Sequence, residues 1–112
     1  MSYPVIVLTA ASGVSSGAST VYVVDTFKNP VNIGLGCVIT AGSPTYTVEH
    51  TFDDVYAPTF DPATATWFAN SGLTSKSAND NGNYAYPING IRVRVVSGSG
   101  TVKLYVLQAG AR

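Results

Sequence analysis

The chain has little charge and almost no sulfur. Lys and Arg number 6, Asp and Glu number 6, and the formal net charge of the 112 residues is zero. The charged fraction is 11%, against about 25% in ordinary soluble domains. A neutral chain sets up no long-range field that would draw it to nucleic acid or to an anionic membrane. The single cysteine, Cys37, excludes the intramolecular disulfides on which many small secreted domains depend. No Asn-x-Ser/Thr glycosylation acceptor occurs. The opening run, MSYPVIVLTAASG, lacks a basic n-region and is too short in its apolar part to span a bilayer. It reads as a strand or an extended arm of a protein made in the cytosol and not exported by the general secretory route.

Helical periodicity is missing too. Nowhere do apolar residues recur at i, i+3, i+4 and i+7 over a useful length; period 2 dominates. Six strands are expected: Pro4–Thr9, Thr20–Val24, Val31–Thr40, Thr45–Phe52, Ile88–Ser97 and Gly100–Gln108. In the third, Val31, Ile33, Leu35, Cys37 and Ile39 share one face. Gly34 and Gly36 sit on the other, where a glycine marks close approach by another backbone or a bulge. In the fourth, Tyr46, Val48, His50 and Phe52 alternate with Thr45, Thr47, Glu49 and Thr51, and AGSP before it is a ready turn.

The 35 residues from Asp53 to Pro87 have weak periodicity, yet they carry six of the twelve aromatics: Tyr56, Phe60, Trp67, Phe68, Tyr84 and Tyr86. So long a structureless loop is uncommon in a compact domain, and aromatic area of that size is normally buried. The segment is therefore expected to hold short strands, with Leu73–Ser77 as one and NDNGN as its turn, and to pack on the sandwich or on a partner. Ala11–Ser19, ASGVSSGAS, is the most flexible-looking piece. Two readings stay open for Met1–Ala10: an arm that adds a strand to a neighbouring subunit, or a part of the same subunit joined by a mobile loop.

Motifs for catalysis are weak. Gly13–Gly17, GVSSG, matches the G-x-S-x-G of hydrolases, but that serine needs a strand-to-helix turn, and a second strand follows here. His50, the one histidine, lies on an inward face by pattern and reads as a satisfied, partly buried side chain. Asp53, Asp54 and Asp61 follow Glu49 as an acidic cluster. Adjacent Asp53 and Asp54 would point to opposite faces of a strand, and aspartates at a strand end usually begin a turn. The NDNGN run lacks the later Glu of a calcium loop. No catalytic residue, cofactor or metal is assigned. Trp67-Phe68 is the exposed-sounding aromatic pair and suits either an interface anchor or a sugar-stacking platform.

Ile91–Val106, IRVRVVSGSGTVKLYV, alternates on both sides of a Ser-Gly-Ser-Gly turn and predicts a C-terminal hairpin. A type II′ turn at Gly98-Ser99 would pair Val95 with Val102, Arg94 with Lys103 and Arg92 with Tyr105. Opposed Arg94 and Lys103 are unfavourable and require an acidic neighbour, for which the Glu49–Asp61 carboxylates are available on an adjacent strand or a neighbouring copy. Three cations and Tyr105 are too few to suggest a nucleic-acid ribbon.

Tyr46–Asp54, YTVEHTFDD, and Ala65–Gly110, with its Trp-Phe after AT, its Pro before IRVRV and its terminal VLQAG, resemble small structural proteins of tailed bacteriophages. The resemblance covers about the last two-thirds of the chain. It implies a virion protein, most simply a decoration (cement) protein that binds and stabilises the assembled head, with a head-fibre, neck or tail-associated module as alternatives. It implies as partner the major capsid protein or another virion protein, as well as further copies of the chain, a trimer first and a dimer second. The fold expected is all-β: one antiparallel β-sandwich domain over residues 1–112, jelly-roll-like, with the C-terminal hairpin. The interface candidates are Trp67, Phe68, Tyr84, Tyr86, Asp53, Asp54, Asp61, Arg92, Arg94, Lys103 and Tyr105. The rival is a carbohydrate-binding sandwich that uses Trp67, Tyr84 or Tyr86.

Overall fold

The computed structural model describes residues 5–13, 17–25 and 32–108. Among these described residues there are eight strands: β1 (Val5–Ala11), β2 (Tyr22–Val23), β3 (Ile33–Gly42), β4 (Thr45–Thr51), β5 (Phe68–Ala69), β6 (Asp80–Tyr84), β7 (Gly90–Ser97) and β8 (Gly100–Gln108). They form two four-stranded antiparallel sheets in the orders β1-β8-β3-β6 and β2-β7-β4-β5, which pack together as a β-sandwich. Period-2 alternation builds the core. Leu8, Leu35, Cys37, Val102, Leu104 and Val106 from the first sheet meet Tyr46, Val48, Ile91, Val93 and Val95 from the second. Leu73 and Ile88, from connecting segments, are buried with them. Each fully buried aliphatic side chain contributes about 1.5–3 kcal/mol.

All six expected strands are found, with ends shifted by up to a few residues. Val5–Ala11 pairs along its length with β8 of its own chain, from Val5 opposite Leu107 to Ala11 opposite Thr101. Residues 1–4, Val31 and Ser15 of the GVSSG motif lie outside the described residues.

The C-terminal hairpin does not form. β7 and β8 follow one another in sequence but belong to different sheets. Val95 lies opposite Tyr46, and Val102 lies opposite Ala10 and Ile39. The valines on the two sides of the turn therefore stand in opposite walls of the core. Alternation fixes which face of a strand is buried; it does not say which strand lies beside it. The turn itself crosses from sheet to sheet beside a second crossing, Gly42–Pro44, that joins β3 to β4. The two crossings touch backbone to backbone. Gly98 has φ 74° and a Cβ there would stand 2.6 Å from the Ser43 carbonyl oxygen, so only glycine fits.

Two smaller expectations are also overturned. NDNGN is no turn: Asp80–Tyr84 is the edge strand β6, paired with β3 from Ile33 opposite Tyr84 to Cys37 opposite Asp80. Its backbone makes the ladder while its polar side chains face outward, as suits an edge. Leu73–Ser77 is no strand. It touches β4 through the Lys76–Tyr46 bridge, with both N–H···O bonds at 2.8 Å, and through Val48 N–H to the Leu73 carbonyl at 2.9 Å.

Candidate functional site

Strand β4 is buried on both faces, and two candidate clusters grow from its two sides. On the outer side, Glu49 lies opposite Arg92 of β7. Arg92 Nε donates to Glu49 Oε1 at 2.8 Å, and Arg94 Nε lies 3.4 Å from the same oxygen, an ionic contact without hydrogen-bond geometry. The Arg92 guanidinium also sits 4.1 Å over the centre of the Trp67 ring, a cation–π contact. Pro62 closes the group: its carbonyl accepts from Trp67 Nε1 at 2.9 Å and from Arg92 Nη1 at 3.3 Å. The Asp53–Trp67 excursion is thus folded down onto the outer face of the second sheet.

The acid that serves the basic strand is therefore Glu49 of the same chain. The other three carboxylates hold turns. Asp54 Oδ1 accepts from Tyr56 N–H and Asp61 Oδ1 from Ala63 N–H, each at 3.0 Å, and Asp53 Oδ2 accepts from Thr66 N–H at 2.9 Å. All three border one open recess with Ala57, Thr59 and Phe60. Among the described residues no group of three or more His, Cys, Asp and Glu side chains could hold a metal.

Lys103 and Tyr105 are elsewhere. They belong to β8 and project from the outer face of the first sheet, with Lys103 opposite Thr9 and Val38. The Arg94–Lys103 pair expected from the hairpin does not exist, because the sandwich puts the two cations on opposite outer faces. Arg92, Arg94 and Lys103 form no common basic ribbon.

On the inner side of β4, the strand runs out at one end of the sandwich into an aromatic cluster. His50 is buried and central. Its ring packs edge-on against Tyr84 (4.9 Å between centroids), Phe52 (5.5 Å) and Tyr86 (5.8 Å), and stacks on Phe68 at 5.9 Å. The Tyr84 hydroxyl lies 2.8 Å from His50 Nδ1, and the Tyr86 hydroxyl lies 3.5 Å from Nε2. Burial pulls the His50 pKa below its ordinary value, so the neutral ring is favoured. Burial likewise pushes the Tyr84 phenol upward. Phe52, Phe68 and Tyr86 keep 52%, 49% and 46% of their surface exposed. A half-exposed aromatic surface with two polar ring groups inside it can stack a planar or apolar partner and offer hydrogen bonds at its centre.

Of the expected site residues, Phe68 and Tyr86 come together here. Tyr84 is fully buried and supports His50; it is not a stacking platform. Trp67 has one ring face covered by Arg92. His50 and Phe52 also belong to the patch. Alternation puts both inward, which holds for buried His50; β4 ends at Thr51, one residue before the expected end, and leaves Phe52 half exposed beyond the sheet. Comparison of the chain with protein-family models, curated proteins and solved structures returns no match.

Proposed function

We propose that the chain is a structural protein of a tailed-bacteriophage particle, a decoration protein that docks on the assembled head and stabilises it. The observation that carries this reading is the strand order. Sheets ordered β1-β8-β3-β6 and β2-β7-β4-β5, with β1–β2 and β3–β4 each running beside β7–β8, suit a jelly roll, an architecture used by viral shell proteins and by lectins. The resemblance of Tyr46–Asp54 and Ala65–Gly110 to phage structural proteins supports the virion member of that pair. Low charge and a pinned outer loop suit a protein that works by surface contact in many copies, where weak contacts at symmetric positions add through effective concentration.

The surface assigned to the shell is the Phe52, Phe68 and Tyr86 patch. Purified protein incubated with undecorated heads should co-sediment with them and raise their resistance to heat. A Phe52→Ser/Phe68→Ser variant should stay folded, since both side chains are half exposed, and should lose most of the binding. Absence of binding by the wild-type chain would count against the proposal. The same patch favours one second reading, a glycan-binding module, because exposed rings around polar groups also suit sugars. Glycan binding that depends on Phe68 and Tyr86, with no binding to heads, would select that reading.

A further inference from the structure

The outer face of the first sheet has an unexplained shape. Its central row runs Val7, Tyr105, Gly36 and Asn81 across β1, β8, β3 and β6, and the next row puts Leu107 beside Gly34 and Asn83. Val7, Tyr105 and Leu107 keep 45%, 38% and 40% of their surface exposed. A ridge on β8 therefore lies alongside a groove on β3. Lys103, in the row with Thr9 and Val38, is the one charge on this face among the described residues.

The groove has no reason within the fold. A Cβ at Gly34 would have the Leu107 carbonyl oxygen as its nearest neighbour at 3.8 Å, and one at Gly36 would have Tyr105 Cβ at 4.0 Å. Both are ordinary contacts, and neither glycine has positive φ. The other strand glycines differ. Gly42 and Gly100 abut backbone carbonyls at the sheet crossings, Gly82 leaves 3.0 Å to Leu73 Cδ1, and Gly90 leaves 2.9 Å to Val21 Cγ1. Glycine within a strand weakens it, and it marks sites where something outside comes close. Among the described residues, Gly34 and Gly36 are the strand glycines for which the chain itself supplies no such neighbour.

We propose that a second copy of the chain docks on this face about a two-fold axis parallel to the strands and midway between β8 and β3. That axis lays the ridge of each copy into the groove of the other. Tyr105 of one copy meets Gly36 of its partner, Leu107 meets Gly34, and Lys103 lays its aliphatic stem on Val38. Val7 faces the partner's Asn81 at the polar rim. Such an interface is isologous and closed, and it joins the sheets in the aligned manner of sandwich packing. A face four strands wide and about eight residues long covers about 19 by 26 Å. Two copies then bury about 1,000 Å², the lower bound for a specific interface. Charge on the face is limited to one Lys103 per copy; the axis sets the two at the same level, and each ammonium avoids the other by reaching outward past Val38 to solvent. The dimer stands independently of head binding, which uses the aromatic end.

Sedimentation and light scattering on the isolated wild-type chain should give a dimer. A Gly34→Val/Gly36→Val variant should be monomeric while unfolding at a temperature no lower than wild type compared as monomer, because valine has room there and favours strands. Tyr105→Lys should also be monomeric. In a Val7→Cys/Asn81→Cys variant a short bifunctional thiol reagent should join two chains, and neither single variant should cross-link to the same extent; buried Cys37 supplies no competing thiol. A monomeric or trimeric wild type, a dimer that survives the glycine substitutions, failure of the double-glycine variant to fold, or no cross-link in the double-cysteine variant would each overturn the proposal.

Discussion

Glu49→Gln is the sharpest test of the charged outer face. Glu49 and Arg92 side chains are only 11% and 12% exposed, and Arg94 shares the same carboxylate. Fully exposed ion pairs contribute about 0.2–1 kcal/mol, whereas removal of one partner from a buried pair costs about 3–5 kcal/mol because the other charge is stranded. This pair lies near the buried limit, but Arg92 keeps the Pro62 carbonyl and the Trp67 ring after the substitution. The expected loss is about 2–3 kcal/mol, between those two bounds. For a domain of this size it corresponds to a fall in unfolding midpoint on the order of 10 °C. Thermal denaturation followed by circular dichroism at low and high salt measures it. The loss should persist in high salt, since a pair this sheltered is weakly screened. Adding Arg92→Leu to Glu49→Gln should recover part of it. A change of less than about 0.5 kcal/mol, the range of ordinary surface substitutions, would refute the reasoning that the outer loop is pinned by this group.

Three further outcomes follow from the geometry. Cys37 is buried and its thiol is pushed up to about 11, so thiol reagents at neutral pH should label it only on the unfolding timescale; rapid labelling of the native protein would contradict its placement in the core. His50 has a lowered pKa in the fold, so the unfolded chain binds its proton more readily; the stabilisation is complete above about pH 6.5 and is lost as pH falls below it. The unfolding midpoint should therefore decline as the pH falls below about 6.5 in wild type, and less in His50→Phe; equal slopes would be evidence against it. Gly98→Ala should cost more than Gly13→Ala in chemical denaturation. Both have positive φ (74° and 77°), but only at Gly98 would the Cβ press on a backbone oxygen, while Gly13 has nothing within 4 Å.

Much of the sandwich was legible in the chain. Alternation located the long strands and their buried faces, and it placed His50 inward. What alternation leaves open is lateral order. Ile91–Val95 and Val102–Val106 match as neighbours in a hairpin and equally well as opposing walls of one core, and the crowded glycines at the two crossings favour the second. β6 was hidden because NDNGN has the composition of a turn; an edge strand can be polar, since its backbone alone makes the ladder. The need for an acid beside the arginines was legible, but its identity was not. Glu49 faces Arg92 only because β4 lies next to β7. Trp67 looked like a free platform because sequence does not reveal the guanidinium above it.

Quantitative mass spectrometry of purified particles tests the proposed function most directly. The expected result is this chain in a fixed ratio to the major shell protein, at hundreds of copies per particle for a shell decoration, with loss of the chain when Phe52 and Phe68 are both replaced by Ser. Particles purified from a producing culture that contain none of the wild-type chain would contradict it.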